Sequence, residues 1–232
     1  MKSELGTIIS ILSLVKIVVA RRHNAVEYVA MTIFCANKSH AQAIARIYAP
    51  YCAPDCYISF ESTAPDTAEM ESRIDSASPK FPFLIYKEED QILGYAYASL
   101  HNPRAAYDWS ANVSIYLDQA AKGRGIGRNL YKCLFQIMRD LGYYNLYAGI
   151  TMPNEASEGI HKAMGFEQVA IYKKVGFKNG AWRDVLWLTL TLCKHQDTQP
   201  EPVQLFVNYL ISDQKAFATT DGYLWQYTDM QT

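Results

Sequence analysis

Neither sign of charge dominates this chain, whose 232 residues carry 22 Lys and Arg against 23 Asp and Glu. Coating nucleic acid or an anionic membrane surface would need a cationic excess, so partners of both kinds are excluded. Long apolar runs are scarce as well. Residues 5–20, "LGTIISILSLVKIVVA", are apolar over about 16 positions, short of the ~20 that a membrane span needs, and Lys16 interrupts them. A signal peptide would begin more basic than Lys2 beside Glu4, and would end on small residues where Arg21, Arg22 and His23 stand. Cysteines number five, at Cys35, Cys52, Cys56, Cys133 and Cys193, with no repeated spacing. Cys52 and Cys56 make half of a metal site, and no second pair or His cluster completes it. Reduced structural thiols in a reducing compartment, the cytoplasm, and no metal are the expectation. No internal repeat is present.

What is present alternates strand and helix from Met31 onward. "TIFCA" is a short strand, and Ser39 then caps a helix with Ile44, Ile47, Tyr48 and Tyr51 on one face. "ISFES" looks extended, and Asp66 with Glu69 opens a helix that turns Met70 and Ile74 inward. "FPFLIYK" and "QILGYAYASL" form a hairpin across a charged turn, and "WSANVSIYLD" is a further strand. The clearest helix covers 124–141, with Leu130, Cys133, Leu134, Ile137, Met138 and Leu141 at helical spacing and Gly142 as its stop. "YYNLYAGI", a helix in "PNEASEGIHKAMG", "EQVAIYKK" and "DVLWLTLTL" finish one domain near Cys193. The expected organisation is a leader over 1–30, from a start placed too far upstream or lying outside the fold. A domain over 31–193 and an appendage over 194–232 follow. The fold class is α/β, a mixed and mostly antiparallel sheet flanked by helices.

Between the strand ending at Asp118 and the helix lies "KGRGIGRNL". A strand, a glycine turn and a helix N-terminus receive phosphate, because unpaired backbone N–H groups and the helix dipole face the anion. A P-loop would follow its glycine with Lys and Ser or Thr, but Gly127 precedes Arg128 and Asn129. A dinucleotide fold would need G-x-G-x-x-G and an acid after the next strand; the turn has G-x-G-x-G, and Asp140 lies within the helix. Both nucleotide readings weaken.

The turn resembles the pyrophosphate loop of the GNAT acetyltransferase superfamily. Its companions strengthen the likeness: "NEASEGIHKAMGF" is similar to that superfamily's Asn followed, seven residues on, by a proton donor and then Gly-Phe. "ISFES", "NPRAAYDWSANVSIYL", "MPNEASEGIHKAMGF" and "VGFKNGAWRDV" further resemble the phosphinothricin and methionine sulfone or sulfoximine N-acetyltransferase family over 31–193. The resemblance implies a sheet with one splayed strand pair, acetyl-CoA as co-substrate, direct transfer in a ternary complex, a small amino-acid-like amine as acceptor, and a homodimer. For acetyl-CoA it implies the backbone of Ile115, Tyr116 and Leu117, the turn of Lys122, Gly123, Arg124, Gly125, Ile126, Gly127 and Arg128, and Asn154 with Ser157.

Acetyl transfer needs a neutral amine, donors for the carbonyl oxygen that gains charge, and a proton for the leaving thiolate. The resemblance gives the proton to His161. Arg104 is the candidate clamp for a substrate carboxylate, since its fork grips one in two places. Phe60 and Tyr107 are candidates to line the acceptor pocket, and Glu61 to meet the amine. The family's usual base is a Glu at the third position after the Trp, and Asn112 stands there. Asn takes no proton, so Glu61 or Asp108 substitutes, water carries the proton, or activity is weak. Beside the amino-acid-analogue reading stand a GNAT acting on another small amine or a protein N-terminus, and a silent acyl-CoA-binding module.

Overall fold

The structure, a computed structural model, describes residues 15–21, 30–212, 217–218 and 223–229. Strands β2 (Ala30–Cys35), β3 (Phe83–Glu88), β4 (Gln91–Leu100), β5 (Ser110–Leu117), β6 (Asn145–Thr151), β7 (Glu167–Lys178) and β8 (Ala181–Thr191) form one sheet. Their order across it is β7-β8-β6-β5-β4-β3-β2. β1 (Val15–Arg21), β10 (Tyr223–Asp229) and β9 (Phe217–Ala218) continue that sheet beyond β2. β5 and β6 are the parallel pair; every other pairing among the described residues is antiparallel. The leader expected over 1–30 is described only at Val15–Arg21 and Ala30, and the rest of it lies outside the described residues.

Because successive strand side chains point to opposite faces, β4 and β5 serve two cores. Ala96, Ala98, Ala111 and Val113 face α3 (Ile126–Asp140). These small side chains let the helix lay Leu130, Leu134 and Met138 directly on the sheet. The other face turns Tyr95 and Tyr97 toward α1 (Ala41–Cys52) and α2 (Thr67–Ala77), whose Ile44, Ile47, Met70 and Ile74 are buried there. Burial also pushes the Cys35 thiol up to about 12 and raises that of Cys133, which makes both inert.

Two local expectations change. Asn37, not Ser39, caps the entry to α1, its Oδ1 accepting from Ser39 N–H at 2.9 Å. "ISFES" is no strand. It lies in a loop gathered onto the buried ammonium of Lys178, which donates to the carbonyls of Cys52, Ser59 and Glu61. Of the segment expected as an appendage, α5 (Phe206–Ser212) buries Phe206, Tyr209 and Leu210 in the α3 core, and Gln204 N–H donates to Leu141 O at 2.8 Å.

What positions the site is a failure of pairing. β5 and β6 match at Ser110 with Asn145, Ala111 with Leu146 and Asn112 with Tyr147, and no further. Beyond that rung β5 stays on β4 as far as Leu117, and β6 stays on β8 as far as Thr151. Each strand is held on its outer side while the ladder between them opens as a fork.

Candidate active site

The fork exposes main-chain donors. Asp118 N–H donates to Leu93 O at 2.9 Å. Antiparallel alternation then turns the backbone of Tyr116 toward β4, and that of Ile115 and Leu117 toward the opening. Of the three residues expected to hold the thioester by their backbone, these two therefore carry the free N–H groups. The Tyr51 hydroxyl donates to Leu117 O at 2.8 Å, so it uses the carbonyl and leaves the amide.

At the mouth of the fork, Gly123 (φ 75°) and Gly125 (φ 78°) lie in the left-handed region where glycine is favoured. A Cβ added at either meets nothing within 4 Å, so the turn is an open cradle. The Asn129 N–H makes a helical bond to Gly125 O at 3.2 Å, while the amides of Ile126, Gly127 and Arg128 stand in the unpaired first turn. Gly127 has a different task. A Cβ there would come within 2.8 Å of Ile160 and 3.2 Å of Ile115, so its absence lets α3 approach α4 (Glu155–Ala163) and β5. Lys122 lines the groove, its Nζ 5.5 Å from the centre of the Tyr51 ring. Arg124 points elsewhere, its Nη2 2.7 Å from both oxygens of Glu88, and Arg128 is exposed.

On the other wall, Asn154 caps α4 through Oδ1, which accepts from Ser157 N–H at 3.2 Å and leaves Nδ2 for a ligand. His161 is buried, and its Nδ1 lies 2.7 Å from Ser157 O. A carbonyl only accepts, so Nδ1 carries the hydrogen, and Nε2 accepts from the Tyr131 hydroxyl at 2.9 Å. Burial holds the His161 pKa below its ordinary value and raises that of Tyr131. The ring is thus neutral near pH 7, and its Nε2 takes the hydroxyl hydrogen of Tyr131, a partner not foreseen from sequence. A hydroxyl on the buried stripe of α3 was the available signal.

A second cavity opens on the opposite side of the fork. It shares Ile58, Val113, Ser114, Tyr116, Gly149 and Thr151 with the groove just described. Phe60, Glu61, Ser99, Asn112, Tyr172 and Trp187 also line it. Gly176 backs Phe60 so closely that any side chain there would strike the ring. The buried indole N–H of Trp187 has no acceptor among the described residues. Glu61 takes both oxygens to Arg73, at 2.8 and 2.9 Å, and Oε1 also accepts from Tyr48 at 2.9 Å. The Arg73 bonds, then Tyr48, hold its carboxyl below the usual range, which suits a fixed anion better than a proton acceptor. Arg104, Tyr107 and Asp108 line neither cavity; they sit on the exposed turn around Ala105–Tyr107, between β4 and β5. Asn112 closes the last rung of the fork.

A sheet forked over a glycine-bent helix start, with open main-chain donors on one side and a side-chain pocket on the other, fits a thioester cofactor and defines an acyltransferase site. The acetyltransferase (GNAT) domain family matches residues 33–187, and the chain belongs to that family. Within it, the chain is 34% identical to the phosphinothricin N-acetyltransferase of Alcaligenes faecalis, over 74% of this chain and 88% of that one. To the L-methionine sulfoximine/L-methionine sulfone acetyltransferase of Salmonella typhimurium it is 28% identical, over 71% and 96%. The crystal structure of a phosphinothricin acetyltransferase from Sinorhizobium meliloti in complex with acetyl-CoA superposes with a TM-score of 0.69 at 31% identity, covering 74% of this chain and 93% of that one. The chain is accordingly an acetyltransferase, with seven strands, β2 to β8, as its family sheet. Among the described residues no helix is long and apolar enough to cross a membrane, and no group of three or more His, Cys, Asp and Glu could hold a metal ion.

Proposed function

We propose that this acetyltransferase transfers acetyl from acetyl-CoA directly to the α-amine of a small amino-acid analogue of the phosphinothricin or methionine sulfone and sulfoximine type. The observation that carries the reading is the pair of cavities meeting at the β5–β6 fork, which lets both substrates be bound at once on opposite sides of one opening.

Acetyl-CoA supplies the acetyl group already activated as a thioester. The amides of Ile115 and Leu117 hold its carbonyl oxygen and stabilise the charge gathering there. The main chain of Gly123, Gly125, Ile126, Gly127 and Arg128, helped by the ammonium of Lys122, holds the pyrophosphate. Asn154 and Ser157 hold the pantetheine arm. His161 and Tyr131 act as a pair in passing a proton to the departing sulfur. On the acceptor side Phe60 and Trp187 form the walls, and Glu61 attracts the ammonium. Arg104 clamps the carboxylate from the neighbouring loop beside Tyr107. The exposed apolar edge of Tyr172, Val175, Phe177 and Trp182 supports a homodimer, and five free cysteines suit the cytoplasm.

The test is free-thiol release from acetyl-CoA with methionine sulfone, methionine sulfoximine, phosphinothricin, ordinary amino acids and decarboxylated amines. Turnover confined to carboxylated analogues is expected. Equal turnover of decarboxylated amines would move the assignment to another small amine or a protein N-terminus. CoA binding with no turnover would make the chain a silent acyl-CoA-binding module.

A further inference from the structure

Asn112 leaves the reaction without the carboxylate expected at that position, and the surrounding side chains offer a replacement. The His101 Nδ1 lies 2.8 Å from Asn112 Oδ1. Asn112 is oriented by its other end: Nδ2 donates to Leu100 O at 3.2 Å, so the oxygen must be the atom facing the ring. An amide oxygen only accepts, hence Nδ1 of His101 carries the hydrogen, and in the neutral ring Nε2 holds the lone pair. No hydrogen bond to Nε2 is made among the described residues. The ring is fixed as well as tautomerised. It stacks on Tyr147 at 4.3 Å between centres and meets the edge of Trp187 at 6.3 Å, with Tyr107 at 5.8 Å. Tyr147 pairs with Asn112 on the last closed rung, and Asn112 and Trp187 both line the acceptor cavity. His101 itself lines neither cavity; it lies just past the end of β4, at the closed end of the fork, packed against Asn112 and Trp187, which line the acceptor side.

We propose that His101 Nε2 is the general base that takes a proton from the acceptor amine, and that Asn112 is its positioning residue; this rests on the acetyl-transfer reading above. An acceptor arriving as ammonium gives one proton to His101 Nε2, which releases it to water. Its nitrogen then bonds the acetyl carbon while the carbon–sulfur bond breaks, the sulfur keeping the electron pair. The second proton on that nitrogen leaves to solvent, and the thiolate takes one from the His161–Tyr131 pair, which solvent reloads. One amide, one free thiol and one proton result. Glu61 is poorly suited to the same task, since Arg73 and Tyr48 occupy its oxygens.

The experiment compares wild type, His101→Ala, His101→Gln and Asn112→Leu by thiol release, with acetyl-CoA affinity measured alongside to certify the fold. Nitrogen-15 spectra of the imidazoles complete it. His101→Ala and His101→Gln are expected to lose about 10²-fold to 10³-fold in kcat, within the roughly 10²-fold to 10⁴-fold that general acid–base groups contribute, with acetyl-CoA affinity unchanged. Added imidazole restores His101→Ala at least about tenfold, because the cavity left by the ring admits the free base. The spectra show the Nδ1–H tautomer at His101 in wild type and lose it in Asn112→Leu. Wild-type turnover with an unimpaired His101→Ala, a loss that imidazole does not restore, or an Nε2–H tautomer at His101 overturns the base. A wild type that releases no thiol with any amine overturns the acetyl-transfer reading itself, and the base with it.

Discussion

The two sides of the fork are made of different material. On the proposed assignment, the acetyl-CoA side is mostly main chain: two amides of β5, the glycine turn and the first turn of α3. The proposed acceptor side is lined largely by side chains, drawn from α1, the loop at 58–61, β4, β5, β6, β7 and β8. A main-chain site depends on a few glycines and tolerates exchange of the side chains around it. A side-chain site can be retuned residue by residue, so a shared cofactor and a variable acceptor divide naturally between the two.

Substitutions test that division, beginning with the largest effect. Gly125→Val forces a β-branched residue to φ 78° and puts methyl groups into the cradle. Acetyl-CoA affinity by calorimetry is expected to weaken about a hundredfold, since strain and obstruction add. An unchanged Kd would remove the turn from the cofactor site. Tyr131→Phe takes away the hydrogen shared with His161, and kcat should fall about thirtyfold with little change in acetyl-CoA binding. Equal activity would leave the thiolate proton to another group. Arg104→Ala should raise KM for carboxylated amines about tenfold and leave that of acetyl-CoA alone. An unaltered KM would exclude Arg104 as the clamp. Arg124→Ala should weaken acetyl-CoA by no more than about threefold, because the exposed guanidinium is spent on Glu88. A loss rivalling Gly125→Val would break the division outright.

The smallest effect is on stability against pH. Burial lowers the His161 pKa in the folded chain, so the unfolded chain binds the proton more readily. Stability is therefore lost as pH falls below about 6.5, the value for a free imidazole. In His161→Phe the melting temperature should fall less over the same range, as followed by circular dichroism.

Legibility followed the same division. The glycine turn, the amphipathic α3 and the helix within "PNEASEGIHKAMG" are local patterns, in which spacing along the chain is already spacing in space, and all of them stand where the sequence puts them. Acceptor-side residues meet only through strand register. His101 lies just past the end of β4 and Asn112 on β5, and nothing in "SLHNPRAAYDWSAN" shows that the ring reaches the amide. Arg73 reaches Glu61 from a helix, and Lys178 reaches the same loop from the far end of the sheet. In the sequence, Glu61 stands out by its charge and Arg104 by its fork within "NPRAAYDW". Their surroundings, a bidentate guanidinium for one and an exposed turn for the other, are decided by tertiary packing.

Lys178 separates inheritance of the fold from inheritance of its substrate range. Its ammonium grips the loop only through the carbonyls of Cys52, Ser59 and Glu61, groups that every replacement at those positions also carries. Side chains at Tyr57, Ile58 and Phe60 can thus drift without releasing the anchor, and the loop keeps its path while its chemistry changes. On the proposed assignment of this loop to the acceptor, single substitutions there change what is bound while the lysine keeps the main chain in place.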